Sequence, residues 1–138
     1  MMLTTWPVLA AVSAGGVLGA LARHAIATAL PHPPGAFAWS ILLVNVSGCL
    51  LIGVLMVLVV EVWTDRPLVR PFLGVGVLGG YTTFSTYVVE VHQAMAAGRP
   101  ATALLYLAIT PAAAVLAAWA GAALTGRAVR AFRRGDGG

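Results

Sequence analysis

The sequence predicts an all-α polytopic membrane protein with four transmembrane helices, the third of them broken. The chain has 138 residues, of which 60% are hydrophobic and only 9% charged. So few charges could not cover the outside of a soluble domain of this size. The apolar residues fall into four runs, each long enough to cross a hydrocarbon layer of about 30 Å. Inside the third run, residues 79–87 read Gly-Gly-Tyr-Thr-Thr-Phe-Ser-Thr-Tyr, where a lipid-facing helix would carry aliphatic residues.

We expect one membrane domain over residues 1–138, with spans at about 5–30, 36–60, 69–97 and 101–126. Turn-forming or charged sequences separate the spans, at 31–35, 61–70 and 98–100. The remaining residues, 127–138, form a basic tail whose Gly-Asp-Gly-Gly end we expect to fray. No basic segment precedes the first span, so it is interpreted as a mature helix and not as a signal peptide.

The basic residues indicate topology. All eight are arginines and most flank the apolar runs. Four spans put both termini on one side, which carries Arg66, Arg70 and the four arginines of the tail, whereas Arg23 and Arg99 lie on the other side. This bias predicts cytoplasmic termini in a multi-pass protein of the cell membrane. The net charge of +4 would suggest nucleic acid in a soluble chain, but no nucleic-acid partner is expected here.

The stretch at 79–87 predicts a helix break near residues 79–83. The paired residues Gly79 and Gly80 favour non-helical backbone. Four of the five residues from Thr82 to Thr86 are Ser or Thr, which compete for backbone hydrogen bonds. In a membrane, irregular backbone survives only where protein or water satisfies it. The break is therefore expected to face a protein-lined space.

Small residues recur at four-residue spacing on two spans. One helix face carries Ala11, Gly15 and Gly19, and the third span repeats the spacing with Gly76 and Gly80. Such faces let helix backbones approach closely. The spacing does not separate packing within one subunit from packing between two.

Two polar residues in the first two spans each allow two interpretations. Arg23 follows Gly19 on the same face, and it is either a snorkelling anchor or a cation at the mouth of an anion path. Asn45 lies in the middle of an uncharged span. Its amide either ties two helices together or donates to a passing anion.

Further candidates lie on the third and fourth spans. Phe84 and Tyr87 are three residues apart, so they share a helix face as core or as ring edges that meet an anion. Glu90 is one turn beyond and is structural, protonated or part of a gate. Tyr106 and Thr110 are four apart beside a proline, so their hydroxyls form a polar track or satisfy backbone carbonyls.

Enzyme chemistry is not expected. The three histidines are scattered, no Cys/His cluster suggests a metal site, and the glycines of the third span lack the lysine of a phosphate-binding loop. The single cysteine, Cys49, lies in an apolar run and is interpreted as a small buried hydrophobe.

Three sequence blocks together resemble the CrcB/Fluc family of fluoride channels. They are GGVLGALAR at 15–23, VNVSG at 44–48 and GGYTTFSTYVVE at 79–90. The resemblance implies an antiparallel, dual-topology dimer with two fluoride pores. It also implies a structural sodium ion, bound by the backbone carbonyls of Gly79 and Thr82.

The resemblance also implies roles for individual residues in passive fluoride export and fluoride resistance. The fluoride pathway would include Asn45, Phe84, Tyr87, Ser85, Thr86, Glu90, Tyr106, Thr110 and Arg23. Family members often have Phe at the position of Tyr87, so this chain adds a hydroxyl donor there. A hydroxyl is also common at the position of Ala114, so the polar track is shorter.

The partner expected in the dimer is a second copy of the chain, with a paralogous subunit as the alternative because of the arginine bias. Membrane lipid surrounds the assembly. Two other functions are considered. A small dual-topology multidrug exporter needs an acidic residue in its first span, and residues 1–30 contain none. A non-transporting membrane scaffold would explain the small-residue faces but not the polar break.

Overall fold

The computed structural model describes residues 5–137, which fold into helices and contain no strand. The helices are α1 (Thr5–Ala29), α2 (Trp39–Glu61), a π-helix (Arg70–Leu78) that continues into α3 (Gly79–Tyr81), α4 (Ser85–Ala96) and α5 (Pro100–Gly135). Four stretches are long and apolar enough to cross a membrane, the third being Arg70–Ala96 with its interruption. The predicted all-α class with four spans is confirmed.

Two helix ends differ from the predicted spans. The helix α2 begins at Trp39 instead of 36, because Gly35 adopts a φ of 79° and the Ala36 N–H bonds to the Pro33 carbonyl in a turn. The helix α5 continues to Gly135 and not only to about 126, so most of the basic tail is helical. Ala and Arg, which are strong helix formers, dominate this stretch. Arg133 also donates to the Glu61 carbonyl at 2.6 Å and lies 3.4 Å from its carboxylate.

Backbone-to-backbone contact joins α1 to the third span. A Cβ on Gly15 or Gly19 would collide with the backbone of the π-helix, and one on Gly80 would collide with the Gly16 carbonyl. The helix α2 packs mainly on α5, again through glycines, and α4 packs on α5. These small-residue faces therefore pack helices within one subunit.

The π-helix loosens the third span ahead of the break. Its wide turns run over nine residues, from Arg70 to Leu78, and the Gly79 N–H still reaches back five residues to the Gly74 carbonyl. π-helical geometry is usually confined to a single turn and is frequent at functional sites. The hydrophobic pattern of the sequence did not indicate it.

Candidate functional site

The helix break is held by one side chain of α2. At Thr82 the backbone becomes extended, with φ −77° and ψ 154°. The Thr83 N–H, which would donate to the Gly79 carbonyl in a continuous helix, donates to Asn45 Oδ1 at 2.8 Å. Asn45 Nδ2 in turn donates to the Thr83 carbonyl at 2.9 Å. Asn45 therefore pairs both backbone groups of a buried residue and ties α2 to the break.

Thr83 also starts the next helix. Its Oγ1 accepts from the Thr86 N–H and donates to Thr86 Oγ1, both at 3.1 Å, and Ser85 Oγ lies 3.4 Å away. A threonine hydroxyl in this position caps a helix N-terminus. Sequence reasoning did not select Thr83 as a site residue, although a Thr just ahead of a restarting helix is a known capping signal.

Two backbone carbonyls lose their helical donors at the break. The Thr83 N–H no longer serves Gly79, and the Thr86 N–H no longer serves Thr82. Freed carbonyl oxygens are ligands that suit a hard cation, so these two residues fit the sodium ion that the family resemblance implies. The Thr82 carbonyl accepts one bond, from Arg23 Nη1 at 3.4 Å, and a carbonyl has a second lone pair. Arg23 thus reaches the break itself.

A cavity of about 320 Å³ lies between the break, α2, α4 and α5. Its lining brings together four of the expected pathway residues: Asn45, Phe84, Tyr87 and Thr110. Thr82, Thr83, Cys49, Pro111 and Ala114 also line it. The second N–H of the Asn45 amide has no partner in the part of the chain described, so the cavity keeps a donor.

Aromatic rings run from the break towards the loop between α1 and α2. The Phe84 and Tyr87 centroids are 5.7 Å apart, as their spacing predicts, and Tyr87 lies 5.5 Å from Tyr106. Phe37 meets Tyr106 edge-on at 5.0 Å. Phe84 is 77% exposed, whereas Tyr87 and Tyr106 are buried. The two predicted groups of pathway residues therefore form one column of rings.

The hydroxyl of Tyr87 donates to the Leu107 carbonyl of α5 at 2.7 Å. In a regular helix that carbonyl would accept from the N–H four residues on, but that residue is Pro111, which has none. Tyr87 thus replaces the donor that the proline removes. In this structure the proton of the Tyr87 hydroxyl is therefore directed at the backbone of α5.

Unlike the Tyr87 hydroxyl, the hydroxyls of Tyr106 and Thr110 have no backbone carbonyl as a partner. Both residues are more than 95% buried, and their side chains approach each other, but neither hydroxyl makes a hydrogen bond of good geometry within residues 5–137. A buried hydroxyl without a partner costs free energy. Thr110 lines the cavity, so its hydroxyl is placed to bind a polar ligand there. Thr110 does not satisfy the carbonyl that the proline frees.

Glu90 has a partner that the sequence did not reveal. Its Oε2 lies 2.8 Å from Nε2 of His32, in the loop between α1 and α2. Both side chains are mostly covered. Among the described residues, no group of three or more His, Cys, Asp or Glu side chains could hold a metal ion.

Comparison with known proteins places the chain in a family. The family description "CrcB-like protein, Camphor Resistance (CrcB)" matches residues 10–122. The chain is 53% identical over 89% of its length to "Fluoride-specific ion channel FluC 2" of Nocardia farcinica, covering 85% of that protein. It is 52% identical over 88% of its length to the protein of that name in Thermobifida fusca, covering 90%. "Fluoride-specific ion channel FluC" of Rhodospirillum centenum is 42% identical over 86% of the chain, with 95% covered. The chain belongs to the CrcB family, as its motifs predicted.

Proposed function

We propose that this chain is a fluoride-selective ion channel of the cell membrane that exports cytoplasmic fluoride passively and so gives fluoride resistance. The observation that carries the proposal is the high identity, over most of both lengths, to relatives named fluoride-specific ion channels. Neutral hydrogen fluoride enters cells and dissociates in the less acidic cytoplasm. An open path then lets the ion leave, driven by an inside-negative potential worth about 2.3 kcal/mol per charge per 100 mV.

The cavity beside the break has the chemistry that such a path needs. Fluoride is small and strongly hydrated, so a pore must replace its water with donors. The free N–H of Asn45 and the unpartnered hydroxyls of Thr110 and Tyr106 are such donors. The rings of Phe84 and Tyr87 add partly positive edges. The Tyr87 hydroxyl is bound to Leu107, so Tyr87 contributes its ring and not its proton.

The remaining residues of the proposed pathway lie on α4 and at the break. Ser85 and Thr86 begin α4 beside the cavity, and Glu90 lies one turn beyond Tyr87. Arg23, at the Thr82 carbonyl, raises the local concentration of anions near the break. No covalent step is involved, and the protein is not an enzyme.

A second, antiparallel subunit is proposed because the break is uncovered. Gly79, Phe84 and Ser85 are exposed although they lie in the middle of a span. Exposing interrupted backbone to lipid is costly. A second copy would cover this face, and sodium bound by the Gly79 and Thr82 carbonyls of both copies would join them. A paralogous subunit of opposite arginine bias is the alternative partner.

Fluoride efflux from liposomes containing the purified chain tests the function, with a fluoride electrode as the readout. We expect fluoride to leave at least tenfold faster than chloride at matched gradients. Equal chloride efflux, or none for either ion, would contradict the proposal.

Crosslinking of two differently tagged copies tests the dimer and the sodium ion. We expect crosslinks between opposite ends of the two copies in sodium, and fewer when N-methylglucamine replaces sodium. A chain that crosslinks only in parallel, or equally in both media, would contradict the assembly without touching the efflux assignment.

A further inference from the structure

The loop between α1 and α2 is packed over the end of α4. At Gly35 the backbone has a φ of 79° and passes so close to α4 that a Cβ there would collide with Ala97. The Ala36 N–H closes a turn on the Pro33 carbonyl at 3.1 Å. This fixed loop presents His32 to Glu90, with 2.8 Å between Nε2 and Oε2. The side chains of His32 and Glu90 are 21% and 12% exposed.

Glu90 belongs to the proposed fluoride pathway, where an uncompensated negative charge would hinder an anion. It follows Tyr87 by one turn of α4. The Tyr87 phenol, one turn earlier on α4, donates its proton to the Leu107 carbonyl. Within residues 5–137, His32 is the one basic group within 4.0 Å of the Glu90 carboxylate.

We propose that His32 is a positioning residue for fluoride export. Its protonated imidazole cancels the charge of Glu90 and fixes the position of the carboxylate, one turn beyond the ring of Tyr87. The inference rests on the proposed function. Histidine gains and loses its charge between roughly pH 5 and 8. A neutral imidazole can still donate a hydrogen bond to Glu90, but it no longer cancels the charge of the carboxylate, which then repels fluoride. Export therefore falls as the pH rises.

Fluoride efflux from liposomes tests the proposal. The pH is equal on both faces and is varied between about 6 and 8, and the leak of protein-free liposomes is subtracted. We expect the efflux of the native chain to fall about tenfold across this range, which is the effect of one nearby charge. His32→Gln should be slow at every pH, and His32→Arg should be fast at every pH because its charge is permanent. The matched control is His92→Gln, which replaces an exposed histidine two residues from Glu90 on α4 and should keep the native profile.

The double variant His32→Gln/Glu90→Gln shows whether His32 acts by compensating the charge of Glu90 or has only a structural role. Removing the carboxylate should restore at least half of the efflux that His32→Gln loses and should abolish the pH dependence. A native pH profile in His32→Gln, or no recovery in the double variant, would overturn the inference while native fluoride efflux still supported the channel. Absence of fluoride efflux from the native chain would overturn the proposed function and this inference with it.

Discussion

Replacing Tyr87 with phenylalanine tests whether its hydroxyl satisfies the carbonyl that Pro111 leaves without a donor. The substitution removes one oxygen and keeps the ring, so the contacts of the ring with Phe84 and Tyr106 remain. The lost interaction is the 2.7 Å hydrogen bond to the Leu107 carbonyl. Any change in stability is then due mainly to that bond.

The expected cost is about 1 kcal/mol. A net intramolecular hydrogen bond contributes roughly 0.5 to 1.5 kcal/mol in water-soluble proteins. Side-chain bonds in membrane helices average about 0.6 kcal/mol and reach about 1.7. A loss of about 1 kcal/mol lowers the folding equilibrium constant about fivefold. Reversible unfolding in mixed detergent micelles, followed by tryptophan fluorescence, measures the change.

The same substitution should cost almost nothing when residue 111 is alanine. Pro111→Ala restores an N–H that can donate to Leu107, so the Tyr87 hydroxyl is no longer needed there. We therefore expect a coupling free energy of about 1 kcal/mol in the double-mutant cycle. Equal costs of Tyr87→Phe in the two backgrounds would refute the reasoning.

Tyr106→Phe is the matched control. It also removes a buried tyrosine hydroxyl, but one without a hydrogen-bond partner among the described residues. We expect no loss of stability, or a gain of up to about 1 kcal/mol, because an unsatisfied group is deleted. If that hydroxyl lines the fluoride path, efflux should fall at unchanged stability.

Three further predictions concern the break and the close helix contacts. Asn45→Leu should lower the free energy of unfolding by about 1 to 4 kcal/mol and abolish efflux, because two buried backbone groups of Thr83 lose their partners; native efflux would refute this role. Gly19→Ala should destabilise by about 1 to 3 kcal/mol, since its Cβ meets the π-helix backbone. The control Gly16→Ala should be neutral or stabilising, because its Cβ meets nothing within 4 Å. Equal effects of Gly19→Ala and Gly16→Ala on stability would contradict the close contact between Gly19 and the π-helix. Phe84→Ile should slow fluoride at least tenfold while crosslinking of tagged copies persists; unchanged efflux would remove this ring from the path.

The spans and the break could be predicted because they depend on composition over many residues. Four apolar runs separated by turn sequences determine the number of helices, and the run of glycines and hydroxyls marks where the third helix fails. The extension of α5 was also readable in principle, since alanine and arginine favour helix. Its arginines, however, also fit the pattern of topology signals that flank a membrane span, and such a pattern does not show where the helix ends.

Contacts between distant residues could not be predicted in this way. His32 and Glu90 are 58 positions apart, and no periodicity relates a loop residue to one side of a later helix. The Tyr87 bond was half predictable, because a proline at 111 necessarily frees the carbonyl at 107. Which donor reaches it depends on how α4 packs on α5. The two interpretations of Asn45 likewise needed the geometry of Thr83 for a decision.

The pairing of helices in the bundle has a consequence for how the chain matures in the membrane. The main partner of α1 is the stretch Arg70–Tyr81, and that of α2 is α5, so neither helix packs mainly on its neighbour in sequence. During synthesis, the glycine face of α1 must wait in lipid until the third helix is inserted, and α2 must wait for the last. Packing is therefore expected only after insertion is nearly complete. A ribosome stalled before residue 100 would leave a chain with unpaired helices, a form open to membrane chaperones and proteases.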